Sequence, residues 1–97
     1  MSREVRRYTF DPKVSMQDVE ESMLLAILSA EGLHGPGRVR LEAAYSVDED
    51  KHACVIDVST EVGEDVARIF TGFLIREFGE DAFEVKRIQG LPQPQTA

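Results

Sequence analysis

Between Arg38 and Asp48, apolar and polar positions alternate without a break. Val39, Leu41, Ala43, Tyr45 and Val47 fall on one side, and Arg38, Arg40, Glu42, Ala44 and Ser46 on the other. A period of two sends successive side chains to opposite faces of a pleated strand, so the pattern predicts one strand over 38–48. The acidic stretch Asp48, Glu49 and Asp50, followed by Lys51, interrupts it as a polar loop. Alternation then resumes, with Cys54, Ile56 and Val58 inward and Ala53, Val55 and Asp57 opposite, predicting a return strand from about His52 to Ser59 and hence a hairpin.

Two shorter alternating stretches flank this centre. The opening EVRRYTF sets Tyr8 and Phe10 on one face of a strand that Pro12 ends, and Phe83 to Ile88 forms a last strand with Phe83 and Val85 inward and Glu84, Lys86 and Ile88 outward. Between strands the period changes to 3.6. Met16, Val19, Met23, Ile27 and Ala30 recur at spacings of three and four, widened by Leu24 and Leu28, behind a Ser15 that can cap the first turn. Gly32 is the expected helix end, followed by a turn at Gly35-Pro36-Gly37. A second helix is expected after Ser59 or Thr60, with Glu61, Glu64 and Asp65 near its positive end, a stripe of Val66, Ile69, Phe70 and Phe73 extended by Leu74 and Phe78, and Gly79 as terminator.

The order strand, helix, strand, strand, helix, strand defines an α+β class and the ferredoxin-like βαββαβ sandwich: a four-stranded antiparallel sheet, first and third strands central, with both helices on one face. A length of 97 residues supports one core, so residues 1–89 are read as a single domain and 90–97, with two prolines and two glutamines, as a disordered tail.

Charge and cysteine usage narrow the function classes. A net charge of −7 opposes the phosphate attraction on which nucleic-acid binding depends, so no nucleic-acid partner is expected. No aromatic falls on the outward sheet face, where a single-strand reader would stack bases. Cys54 is the single cysteine, so no internal disulfide forms, and no leader or long apolar run appears; the chain is read as soluble, cytoplasmic and without membrane contact.

Catalytic and ligand chemistry is thinly represented. The turn containing His34, Gly35, Gly37 and Arg38 offers backbone amides and a cation for an anion or metabolite, but its spacing fits no phosphate-loop motif. His52, Cys54 and Asp57 are the residues an enzyme reading would need, although Cys54 on an inward strand position should be a protonated core thiol. The histidines are too far apart and the acidic pairs too irregular for a metal site, so neither metal nor cofactor is expected. What remains is the helix-free sheet face. Arg40, Glu42, Ala44, Ala53, Val55 and Asp57 are expected there, small and partly apolar with flanking charges, which suits docking of a protein partner or a second copy in a homodimer.

Overall fold

Two hydroxyl caps start the two long helices. Ser15 Oγ accepts from the Asp18 amide at 3.4 Å, and Thr60 Oγ1 from the Gly63 amide at 2.9 Å, each satisfying a donor that the first helical turn leaves open. This computed structural model describes residues 2–92, with side chains from Glu4 to Gln89. Along it run β1 (Ser2–Phe10), α1 (Met16–His34), α2 (Pro36–Glu42), β2 (Tyr45–Asp48), β3 (Ala53–Asp57), α3 (Glu61–Phe78), a 3₁₀ turn (Glu80–Ala82) and β4 (Phe83–Pro92). The fold is α+β, with one four-stranded antiparallel sheet and three α-helices among the described residues.

The expected strand over 38–48 is corrected: its first part is the helix α2, and only Tyr45–Asp48 is strand. Gly35, at φ 86°, ends α1 in a left-handed conformation that suits glycine, and Pro36 then occupies the first turn of α2, where its missing N–H costs nothing. Spacing of four serves these residues better than spacing of two. Val39 is buried with Ala43 packed behind it, Arg38 binds Glu42 at 2.8 Å, and Leu41, which a strand would have turned inward, stands 86% exposed.

Other boundaries move as well. Helix α1 passes through Gly32 and stops at His34, capped by Gly35 rather than by Gly32. Its buried stripe, Met16, Val19, Ser22, Met23, Ala26 and Ala30, is narrower than expected, and Leu24 and Leu28 face solvent at 54% and 60% exposure. Helix α3 keeps its expected limits, with Thr60 as cap and Gly79, at φ 87°, as terminator. Strand β4 continues past Ile88 to Pro92, pairing Leu91 with Arg3 and Pro92 with Ser2 beyond an irregularity at Arg3/Val5. The expected disordered segment therefore begins within a strand, and its last part, 93–97, lies outside the described residues.

The strands lie in the order β2-β3-β1-β4, with β1 and β3 central as expected. Register fixes the faces: Tyr8 lies between Cys54 and Val85, and Arg7 between Val55 and Lys86. Tyr8, Phe10, Cys54 and Ile56 join Val19, Met23, Val66, Phe70 and Leu74 in one core, so α1 and α3 pack against the same side of the sheet. The Tyr8 ring meets Phe70 edge-on at 5.1 Å, adding a directional contact to area burial. Among the described residues no helix is long and apolar enough to cross a membrane.

Candidate interaction face

The sheet side opposite the helices is laid out by the pairings. One row across it reads Ser46, Val55, Arg7, Lys86; a second reads Asp48, Ala53, Thr9, Glu84; a third brings Asp57, Val5 and Ile88 together. Val55, Asp57 and Ala53 thus share the face predicted for them, and Tyr8, Tyr45 and Phe83 take the other. Ala53 is only 4% exposed and Val5 5%, so the accessible apolar centre is smaller than expected and rests on Val55 and Ile88, both half-buried, and on Ala44 at the mouth of β2. A shallow hollow of about 190 Å³ lies there, lined by Val5, Ala44, Tyr45, Ser46, Val55 and Asp57.

Arg40 and Glu42 are corrected out of this surface. Both lie on α2, where Glu42 is engaged by Arg38, and the reason is the helical register just described. Asp57 remains on the face, with its Oδ1 accepting from the Ser59 amide at 2.9 Å and from the Ser59 hydroxyl. That bond turns the chain from β3 into the cap of α3, a local role typical of an aspartate at a strand end.

The turn from His34 to Arg38 is a junction of three helices. His34 Nε2–H donates to Asp65 Oδ2 at 2.7 Å, tying α1 to α3, while its Nδ1 lies 3.4 Å from Arg38 Nη1 and 3.8 Å from Glu61 Oε1. Arg38 also reaches Glu61 at 3.7 Å, and the Glu42 carboxylate bonded to it raises its already high pKa. Carboxylates from Glu42, Glu61 and Asp65 therefore surround the cation that an anion would need, and repel any further negative charge.

The residues an enzyme would need do not converge. Cys54 is 1% exposed in the core, where burial pushes its thiol from 9.0 up to about 12, so it stays protonated at neutral pH. His52, at φ 51° in the hairpin turn, donates from Nε2 to the Val14 carbonyl at 2.9 Å and ties the turn to the start of α1. Asp57 lies on the opposite sheet face from Cys54. No group of three or more potential metal ligands occurs among the described residues.

One edge of the sheet is longer and more exposed than expected. Strand β4 forms the outer edge beside β1 over ten residues, and Val85 is 41% exposed on its helix side. Central β1 and β3 already imply an edge position for this strand, and Val85 takes its expected face; its exposure and the continuation to Pro92 had no signal in Phe83–Ile88. Compared with protein-family models, with curated proteins and with solved structures, the chain matches none.

Proposed function

We propose that this chain is a non-catalytic interaction module that docks a protein surface, in its simplest form a second copy of itself, through the open sheet face. We read the strand order β2-β3-β1-β4, with α1 and α3 each joining strands that are not neighbours, as the split βαβ plan of ferredoxin-like sandwiches. The observation carrying the functional reading is the row Ser46, Val55, Arg7, Lys86 on a face over which neither α1 nor α3 lies. Small side chains at Ala44, Ser46 and Val55 let a second sheet approach to about 10 Å, and the flanking Arg7, Lys86 and Asp57 give it an orientation. The single buried thiol fits a reducing compartment such as the cytoplasm.

Light scattering coupled to gel filtration, over a concentration series up to high micromolar, tests this reading. Val55→Arg places a long cation at the centre of the face without entering the core, and the mass should fall relative to wild type. An assembly whose mass does not respond to Val55→Arg, or a strict monomer throughout, removes self-docking through this face.

A further inference from the structure

We infer that two copies of this chain join edge to edge along β4, antiparallel, in the register that puts Val85 on the twofold axis and makes one continuous eight-stranded sheet. This concerns a different surface from the open face and does not depend on it.

The main chain shows which groups are available. Even-numbered residues of β1 bond toward β3: the Phe10 amide donates to His52 O at 2.9 Å, and Glu4 O accepts from the Val58 amide at 2.9 Å. Bonding directions alternate along an antiparallel strand, so Val5, Arg7 and Thr9 bond toward β4 and meet Ile88, Lys86 and Glu84. The amides and carbonyls of Phe83, Val85 and Arg87 consequently point outward, along an edge that is a ready template for another strand. The opposite edge, β2, has four residues, and shortness is itself a device that blunts edges; β4 has ten, of which Phe83–Arg87 pair when Val85 lies on the axis.

The side chains select both the occupant and the register. Directly opposed residues in an antiparallel pair share a face, so a self-pairing must oppose odd with odd and even with even. Centring on Glu84 sets two carboxylates against each other; centring on Lys86 or Arg87 opposes two cations. With Val85 at the centre, Glu84 faces Lys86 of the second copy, and by symmetry Lys86 faces its Glu84. Both are non-hydrogen-bonded positions, where side chains lie closest. Val85 meets its own copy, covering an apolar side chain that is 41% exposed in the single chain.

This register also answers a local imbalance. Arg7 and Lys86 are directly opposed on the open face, an unfavourable like-charge pair, and among the described residues neither has a salt bridge. Glu84 of the second copy extends the row to Val55, Arg7, Lys86, Glu84 and supplies the missing carboxylate. The contact is isologous, so it closes as a pair and does not propagate.

Sedimentation equilibrium on the purified chain and four variants tests it. Wild type should show a discrete dimer at high micromolar concentration. Val85→Pro removes only an outward amide, leaving the ladder to β1 intact, and should weaken association at least tenfold while circular dichroism keeps the folded spectrum. Glu84→Lys should weaken it similarly, and the double variant Glu84→Lys/Lys86→Glu should restore it to within about threefold, since the exchanged charges face each other again. Val55→Arg should leave this contact in place. If the open face also self-docks, wild type exceeds two chains, and Val85→Pro and Val55→Arg each leave two. A monomer at all concentrations, a mass that climbs without limit in Val55→Arg, an assembly indifferent to a folded Val85→Pro, or a double variant no stronger than Glu84→Lys each overturns edge pairing.

Discussion

The half of the molecule built from β1, α1 and β2 and the half built from β3, α3 and β4 follow the same plan but bury themselves differently. Among the described residues, Leu24, Leu25, Leu28, Leu33, Leu41 and Tyr45 are large apolar side chains left exposed on the first half with the adjoining α2; on the second, Ile75 and Val85 are. Helix α1 buries Met16, Val19 and Met23 in its first half but only Ala26 and Ala30 beyond, whereas α3 continues from Val62 and Val66 to Phe70 and Leu74. Apolar content is therefore a poor guide to which helix holds the sheet. The depth of contact under α3 decides it, and substitutions along the two helices should separate sharply in cost.

Gly63 should give the largest effect. A Cβ at this position would sit 2.0 Å from the Asp57 carbonyl oxygen, so the start of α3 lies against the end of β3 at a distance only glycine permits. In an open helix, glycine to alanine gains about 1 kcal/mol. Here the helix must move off the sheet, and Gly63→Ala should lose about 3 kcal/mol or more, read as a lower midpoint in urea unfolding or as failure to fold. A neutral or stabilising result would mean that α3 does not sit this close, and the contrast between the halves would lose its anchor.

That contact also marks a limit of what the sequence could reveal. The hairpin faces were legible because Cys54, Ile56 and Val58 alternate with Ala53, Val55 and Asp57, and α3 was legible because cap, acidic first turn, stripe and terminal glycine all agree. The approach of Gly63 to Asp57 joins a strand end to a helix start and leaves no local pattern. In 38–42 the apolar spacing of two pointed to a strand, while Arg38 and Glu42, four apart, carried the competing helical signal that prevailed once Pro36 could open a turn. Misreading those five residues put Arg40 and Glu42 on the wrong surface, while Val55 and Asp57 kept their place. Strand β4 outran its expected end because Gly90 and Pro92 are poor strand formers that an edge position tolerates.

Tyr8→Phe should give an intermediate effect. The Tyr8 hydroxyl donates toward Ala67 O at 3.3 Å and shares a 2.7 Å hydrogen bond with Thr71 Oγ1, which also reaches Ala67 O at 2.7 Å, beneath α3. Burial raises the Tyr8 pKa, keeping the phenol protonated as that bond requires. Removing the hydroxyl leaves Thr71 bonded to Ala67 and retains the ring against Phe70, so the loss should be about 1 kcal/mol. A loss above about 3 kcal/mol would show that the hydroxyl, rather than ring packing, positions α3 over β1.

Leu28→Ala on α1 should give the smallest change and is the sharpest probe of the shallower half. Truncating a leucine in a core costs about 2–5 kcal/mol because transfer and cavity terms add. At 60% exposure Leu28 leaves no cavity, and alanine is a slightly better helix former, so the two effects should nearly cancel within about 0.5 kcal/mol. Chemical unfolding at low micromolar concentration measures the single chain. A core-sized loss there would mean that α1 is rolled so that Leu28 points inward, erasing the difference between the halves. The same loss appearing only as concentration rises would instead mean that another chain covers the α1 leucines, because only then does burial of Leu28 become a function of mass action.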